Sequence, residues 1–336
     1  MLSVICPVYN EEKYIDNCIQ SILAQDYDKN DLEVLFIDGM STDRTRNIIF
    51  SYLEHYPFIK MLDNPKRIVP TAMNIGIKAS IGEIIIRLDG HVEYPNNYFS
   101  ALVRRLIELD ADNVGALCET IPSGSSAKEL AIAEALSSSF GVGNSDFRIG
   151  CNEIKQVDTV PFGCFKREVF DNVGLYDTEL IRNQDDELNG RIIKNGGKIY
   201  LIPNIITRYY ARDKISKVFE MFYQYGLYKP LVNKKLGSPT TLRQFFPLLF
   251  TIGLLFGLVL SFLCRGICVI YIAILGLYLI LAFYFTTKSV KKSKNYVLFL
   301  YQPLTYIIMH VGYGVGYLVG IYKILFNKAF NAEPNR

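Results

Sequence analysis

The amino-acid sequence predicts an α/β fold, a mixed and mainly parallel sheet with flanking helices, followed by an α-helical transmembrane region. Three observations carry this expectation. Strand-like and helix-like stretches alternate over the first 120 residues, the order that builds a parallel sheet through crossover helices. The strand-like runs are β-branched and apolar on both faces, as strands buried inside such a sheet are. From Met1 to about Leu236 charged and apolar residues mix as in a soluble domain, whereas from Phe245 onward long stretches carry almost no charge.

SVICPVY reads as the first strand. It is not expected to be a signal peptide, because the apolar run is short and meets Asn10, Glu11 and Glu12 without a basic leader or a small-residue cleavage site. EEKYIDNCIQSILAQ follows as a helix whose Tyr14, Ile15, Cys18, Ile19, Ile22 and Leu23 share one face. LEVLFID then precedes the helix-like RTRNIIFSYLEHY, FIKML precedes VPTAMNIGIKAS, and EIIIRLD leads to NNYFSALVRRLIELD and NVGALCET. Residues 122–150, rich in Ser and Gly, read as a mobile loop region with a helix-like middle at AKELAIAEAL. After GCFKREVFDNVGLYD, the stretch RNQDDELNGRIIKNGGKIYLIP has an apolar face in Leu188, Ile192 and Ile193 and a helix stop at Gly196-Gly197.

The soluble domain is expected over residues 1–236 and a membrane domain over 237–336. Residues 245–263 and 267–285 each have about the length that crosses a bilayer, and 296–326 is a third, longer apolar stretch. TTLRQFFPLLF suggests an interfacial helix at about 240–247. Lys288, Lys291, Lys292 and Lys294 lie between two apolar segments, which places them on the cytoplasmic side. The N-terminal domain is then cytoplasmic, and the chain a multi-pass protein of the cell membrane. Pro303 and Gly312, Gly314, Gly316 and Gly320 leave open whether the last stretch spans or re-enters, and the glycine spacing favours close helix packing. His310 is expected to be a packed, hydrogen-bonded residue, with contact to a lipid diphosphate as the lesser alternative.

A net charge of +3 without a basic stripe excludes a nucleic-acid polymer as partner. Seven cysteines, Cys6, Cys18, Cys118, Cys151, Cys164, Cys264 and Cys268, have neither C-x-x-C pairs nor zinc-spaced histidines. They read as reduced, mostly buried thiols.

In a parallel α/β sheet, ligands sit beyond the carboxyl ends of the strands. Those ends are Pro7-Val8-Tyr9-Asn10-Glu11, Asp38-Gly39-Met40-Ser41-Thr42-Asp43, Asn64-Pro65-Lys66-Arg67 and Asp89-Gly90-His91. Each alone is an ordinary turn; together they put acids, bases and an aromatic on one rim. A carboxylate and an imidazole at the exit of the apolar run EIIIRL are costly to desolvate unless a partner waits there. Asp185, Asp186 and Glu187 open a helix, where acids complement the dipole, but that role does not need all three.

SVICPVYNEE, IDGMSTDRT, NPKRIVPTAMNIGI, GEIIIRLDGH and NQDDELNGRI, in this order and spacing, resemble the inverting family 2 glycosyltransferases of GT-A fold, in particular the bacterial exopolysaccharide branch typified by succinoglycan glucosyltransferases. The similarity spans about residues 2–230, with a looser match through the membrane tail. It implies that Pro7, Tyr9 and Glu11 line a uracil pocket, that Asp38 hydrogen-bonds the base, and that Lys66 and Arg67 approach the donor pyrophosphate. The family's Asp-x-Asp stands here as Asp89-Gly90-His91, implying Asp89 and His91 as ligands of a divalent cation. An imidazole suits Mn2+ better than Mg2+, which remains an alternative. Glu93 is either a helper or a turn residue.

The family's base lies in a Glu-Asp-x-Glu/Asp-Leu motif, matched by QDDEL with Gln184 in the glutamate position. Asp185 is then the candidate base and Asp186 its near competitor. Arg212 falls where relatives contact the donor diphosphate, and Gln184 and Gln224 toward the acceptor. QYGLY replaces the processive Gln-x-x-Arg-Trp motif, implying single-sugar addition. The resemblance thus implies a membrane-attached hexosyltransferase moving one sugar from a UDP-sugar to a lipid-linked saccharide in exopolysaccharide or capsule synthesis. Partners would be the nucleotide sugar, the lipid-linked acceptor, membrane lipid and a polysaccharide assembly complex. Transfer onto polyprenyl phosphate, and a catalytically idle scaffold, are the alternatives; retention of Asp38, Asp89 and Asp185 together argues against the second.

Overall fold

The computed structural model describes residues 1–330; the end of the expected membrane domain, 331–336, lies outside the described residues. The chain forms two compact units, residues 1–119 with 150–209, and residues 120–149 with 210 onward.

The first unit is built on a mixed sheet with nine strands among the described residues. The strands are β1 (Leu2–Val8), β2 (Leu32–Asp38), β3 (Ile59–Asp63), β4 (Ile84–Arg87), β5 (Val92–Glu93), β6 (Asn113–Ile121), β7 (Lys155–Gln156), β8 (Cys164–Lys166) and β9 (Ile199–Tyr210). Their order is β3-β2-β1-β4-β8-β6-β9-β5, with β7 paired to β9. β1, β2, β3 and β4 run parallel, and β8 joins β4 antiparallel.

The inner strands of this half are buried on both faces, as strands of a parallel sheet covered by helices are. All seven residues of β2 are buried, and Pro7 alone of β1 is partly open. Helices Ile15–Leu23, Thr45–Leu53 and Val69–Ala79 make the crossovers, the first burying Ile15, Cys18, Ile19 and Ile22. The chain runs from β1 out to β2 and β3, then returns to place β4 on the other side of β1. That reversal opens a crevice between the carboxyl ends of β1 and β4, where doubly wound sheets bind ligands. Gly90 belongs to this geometry: a Cβ there would come within 3.2 Å of Val8 Cγ1 and 3.4 Å of Glu11 Cγ.

In the second unit, the segment expected as a mobile loop is packed. Ser126 and Glu129 form a reciprocal cap on helix Ala127–Leu136. Ile132, Ala133, Ala135 and Leu136 are buried in a cluster with Tyr278, Ala282, Tyr306 and Met309. The helix falls at the expected AKELAIAEAL; its packing is what the Ser- and Gly-rich surroundings did not announce.

Among the described residues three helices are long and apolar enough to cross a membrane: Leu242–Ser261, Arg265–Ser293 and Leu298–Leu325. Leu242–Gln244 is a 3-10 turn running straight into Phe245–Ser261. The third helix is continuous through Pro303. It packs on helix Ile215–Leu236 at glycines of both: a Cβ on Gly226 would lie 2.0 Å from Tyr313 O, and one on Gly316 2.1 Å from Tyr223 O. Close backbone approach therefore explains the glycine spacing. His310 Nδ1 lies 2.8 Å from the Tyr278 hydroxyl and its Nε2 3.0 Å from Phe140 O. Both ring nitrogens thus face protein partners.

Candidate active site

The rim of the first unit collects side chains from four strand ends. Non-glycine residues with left-handed φ follow β1, β2 and β3 (Asn10, 53°; Met40, 61°; Arg67, 59°) and precede helix Gln184–Lys194 (Asn183, 61°). Such backbone costs on the order of 1–3 kcal/mol per residue and persists where surrounding contacts impose it.

β4 ends in Arg87, which is 6% exposed. Its Nη2 donates to Asp89 Oδ1 at 3.1 Å, and its Nη1 donates to Asp185 Oδ1. Asp185 stands in the first turn of helix Gln184–Lys194, so the guanidinium joins two loops 98 residues apart. A buried guanidinium is tolerable because two carboxylates surround it; removing one partner of a buried ion pair typically costs about 3–5 kcal/mol. Asp185 has a third of its side chain open, 35%, in an otherwise enclosed site. Burial pushes its carboxyl up, the charges of Asp89 and Asp186 push the same way, Arg87 pulls it down, and the net effect is a raised pKa. Of the three helix-opening acids, Glu187 is committed to Arg191 at 2.8 Å.

His91 follows Asp89 by two residues. Its Nδ1 is 3.2 Å from Glu11 Oε1, and its ring meets Tyr209 edge-on with centroids 5.7 Å apart. Glu11 is 5% exposed, so its carboxylate turns toward His91. The peptide N–H of Asp89 donates to the Tyr94 hydroxyl at 2.8 Å, which fixes the Asp-Gly-His turn from behind.

Asp38, at the end of β2, is 0% exposed. It accepts from Ser41 N at 3.1 Å and from Arg46 Nη1 at 2.5 Å, and Arg46 also reaches Asp63 at 2.7 Å. Lys66 and Arg67 are exposed after β3, and the Arg67 guanidinium lies 5.9 Å from the Tyr9 ring centroid. Pro7 is partly open at the end of β1, and Gln184 is buried at the head of its helix.

The geometry therefore brings Asp89 and Asp185 together on one guanidinium, and pairs Glu11 with His91 just beyond Asp89 in the chain. Asp186 stands on the same helix turn as Asp185. Arg212 and Gln224 belong to the second unit, with Gln224 buried on helix Ile215–Leu236.

Sequence reasoning passed over Arg87 and Arg46. Arg87 had a legible signal: a cation ending the apolar run EIIIRL has to be paired. Arg46 did not, because one Arg in a crossover helix looks like a solvated residue until the fold sets it against Asp38.

Asp89 and His91 are residue types that fit a divalent cation. A carboxylate at one ring nitrogen, as Glu11 stands at Nδ1 of His91, is the kind of partner usual behind metal-ligating histidines. Among the described residues no group of three or more His, Cys, Asp or Glu forms a ready-made cage. A cation there would complete its coordination from a diphosphate and water.

A mixed sheet, parallel over β1 to β4, with acids gathered at its strand reversal is the architecture of the GT-A fold seen in the similar solved structures. Residues 3–174, just over half of the chain, match the family described as Glycosyl transferase family 2, and the chain belongs to that family. It is a glycosyltransferase.

Over 331 residues, 96% of this chain and 97% of the relative, it is 31% identical to the dolichyl N-acetyl-alpha-D-glucosaminyl phosphate 3-beta-D-2,3-diacetamido-2,3-dideoxy-beta-D-glucuronosyltransferase of Methanococcus voltae. It is 32% identical over 248 residues, 73% of this chain and 74% of the relative, to the succinoglycan biosynthesis protein ExoA of Rhizobium meliloti. The fold is similar to that of the mannosyltransferase PcManGT from Pyrobaculum calidifontis in complex with GDP-Man and Mn2+. That likeness has a TM-score of 0.62 at 17% identity and covers 97% of this chain and 87% of that one. It is also similar to S. aureus TarS 1-349 in complex with UDP-GlcNAc, with a TM-score of 0.52 at 14% identity, covering 99% and 95%.

Proposed function

We propose that this glycosyltransferase moves one sugar, with inversion, from a UDP-sugar onto a lipid-linked saccharide in exopolysaccharide or capsule assembly. The single observation that carries the reading is the convergence of Asp89 and Asp185 on Arg87 at the crevice between β1 and β4. An acid placed for the donor side and an acid placed as base stand within one guanidinium's reach.

In the proposed step Asp185 accepts the proton of the acceptor hydroxyl. That oxygen bonds to the anomeric carbon from the face opposite the leaving group. The bond from that carbon to the diphosphate oxygen breaks, and its electron pair leaves with the diphosphate. A divalent cation, Mn2+ or alternatively Mg2+, held by Asp89 and His91 would supply Lewis-acid stabilisation of that diphosphate.

The chain's other residues prepare the step. Pro7 and Tyr9 present the base-binding face, and Lys66 and Arg67 supply cations toward the diphosphate, with Arg212 assigned the same target. Glu11 supports the pocket by orienting His91. Asp38, fully buried, shapes it from beneath through Ser41 and Arg46. Gln184 and Gln224 are assigned to the acceptor, and Asp186 is the reserve candidate for the base. QYGLY in place of the processive motif supports single-sugar addition.

The Methanococcus voltae relative is named for transfer onto a dolichyl phosphate-linked sugar, which favours a lipid-linked saccharide over bare polyprenyl phosphate as acceptor. One structural neighbour holds GDP-Man and another UDP-GlcNAc; UDP is preferred on the exopolysaccharide likeness. We assign 1–236 to the catalytic, cytoplasmic part and 237–336 to a multi-pass anchor in the cell membrane, with 120–149 and 210–236 of the first part grouped with the apolar helices in the second compact unit. The lysines at the end of helix Arg265–Ser293 support a cytoplasmic placement of that end. Anchoring keeps the enzyme where a lipid acceptor is, raising its effective concentration.

A panel of nucleotide sugars offered to the full-length enzyme in detergent tests this reading. One UDP-sugar is consumed with matching release of UDP in the presence of a lipid-linked saccharide. Consumption only of GDP-sugars, or transfer only to bare polyprenyl phosphate, would overturn donor or acceptor respectively.

A further inference from the structure

Helices Phe245–Ser261 and Arg265–Ser293 form an antiparallel hairpin. Near its turn a Cβ on Gly257 would meet the Tyr271 ring at 2.7 Å, and nearer its open end the Phe250 and Tyr278 rings stack with centroids 4.2 Å apart. The third apolar helix, Leu298–Leu325, runs antiparallel to the second. Gln302 Nε2 donates to Ser289 Oγ at 2.9 Å, and His310 Nδ1 lies 2.8 Å from the Tyr278 hydroxyl. A third straight span in that direction would run parallel to Phe245–Ser261. It does the reverse. The His310 ring meets Phe250 with centroids 6.1 Å apart, a Cβ on Gly314 would lie 2.5 Å from Pro247 O, and the Tyr317 and Phe245 rings are 6.2 Å apart. Beyond His310 the third helix therefore heads for the start of the hairpin and away from its turn.

Helix Ile215–Leu236 holds it there, lying parallel to it. Cβ atoms on Gly312, Gly316 and Gly320 would press in turn on the carbonyl oxygens of Phe219, Tyr223 and Leu227. Helix Ile215–Leu236 carries Lys217, Glu220, Lys229, Lys234 and Lys235, charges that the centre of a bilayer admits only at high cost. It follows β9 in the chain and leads into the start of the hairpin, so a helix pinned along it stays at the hairpin's open end. Burial agrees: 50% of the third helix's most apolar stretch is covered by protein, against 17% and 11% for the two hairpin helices.

We propose that Leu298–Leu325 does not cross the membrane but lies across the cytoplasmic ends of the hairpin, with one apolar face seated in the cytoplasmic leaflet. The chain then crosses twice, and the residues after Leu325 are cytoplasmic. This orientation rests on the cytoplasmic placement of the catalytic part proposed above. Leu300, Leu304, Tyr322 and Leu325 are exposed, Val311 and Leu318 are half-buried, and their spacing sets all six on one face. Lipid is the occupant of that face. It continues the apolar exterior of the hairpin through Phe246, which is exposed and meets the His310 ring at 5.4 Å. Exposed Lys291 and Lys294 stand just before it, placed for lipid phosphates. A helix in the plane of the leaflet sits at headgroup depth, where the diphosphate of a lipid-linked acceptor also lies.

The test reads location in the full-length protein. Cys151, Cys264 and Cys268 are its cysteines that are not buried, and Cys264 stands in the turn of the hairpin. A C151S/C268S protein retains Cys264, and a C151S/C264S/C268S protein carrying A329C has its added thiol at an exposed position past the third helix. In sealed bacterial spheroplasts a membrane-impermeant maleimide labels Cys264, whereas A329C stays at background and reacts only after detergent is added. A green fluorescent protein fused to the C-terminus, which needs no substitution, is fluorescent in the same cells. Depth is read from V311C in the same triple background, halfway along the helix, labelled with a small fluorophore and reconstituted in vesicles. Nitroxide near the lipid headgroup quenches it more than nitroxide at the end of the acyl chain.

Labelling of A329C in sealed spheroplasts to the level of Cys264 would overturn the placement of the third helix and leave the hairpin's orientation standing. V311C quenched most from the chain end, or by neither lipid, would overturn it likewise. An unlabelled Cys264 would remove the cytoplasmic orientation, and the placement with it.

Discussion

Asp185→Asn abolishes sugar transfer, by about 10²–10⁴-fold as expected for loss of a general base, while UDP binding stays within a few-fold of the parent. The amide keeps the shape of the carboxylate and can still accept a hydrogen bond from Arg87. Arg87 in turn keeps Asp89 as its ion-pair partner at 3.1 Å, so the substitution does not strand a buried charge. What the variant lacks is the ability to take a proton. Transfer rates and calorimetric UDP affinity on the same preparation check this. A variant retaining most of its rate would shift the base to Asp186, one residue along the same helix turn.

Asp89→Ala has the second large effect, on the other side of Arg87. Donor binding in the presence of a divalent cation weakens by at least the 10–100-fold typical of losing even a supporting residue of a metal site, roughly. Chelation removes the difference between variant and parent, because the lost contact acts through the cation. The substitution also leaves Arg87 to Asp185 alone, so some loss of thermal stability accompanies the loss of affinity. Equal UDP affinity of parent and variant, with and without chelator, would contradict the assignment of Asp89 and His91 to a cation.

The sheet was legible because burial on both faces leaves a plain record. LEVLFID and EIIIRL carry no alternation, and a strand of that kind belongs inside a parallel sheet. The rim was legible through its breaks, since an Asp or Glu closing an apolar strand has no structural need to be there. Pairings across the rim were not. Glu11 reads as part of a pocket-lining motif, and only the fold shows its carboxylate 3.2 Å from His91. Asp38 reads as a group that reaches a ligand, yet it is 0% exposed and engaged with Arg46. Such contacts join residues far apart in the chain, and no local spacing encodes them. In the segment 122–150 the helix at AKELAIAEAL was legible, but its packing was not, because which neighbours cover it depends on residues far along the chain.

The membrane tail was legible by length and hydropathy, and the glycines of its third helix by their spacing. Their partner was not: Gly226, on helix Ile215–Leu236, meets Tyr313 of the third helix through a motif region that sequence reasoning had assigned to acceptor handling.

The most direct measurement of the central claim is the anomeric configuration of the transferred sugar, read by NMR on the product formed from an α-linked UDP-sugar. One base on the face opposite the departing diphosphate predicts a β-linked product. An α-linked product would contradict the account, since Asp185 could not then act as a simple base in a single displacement.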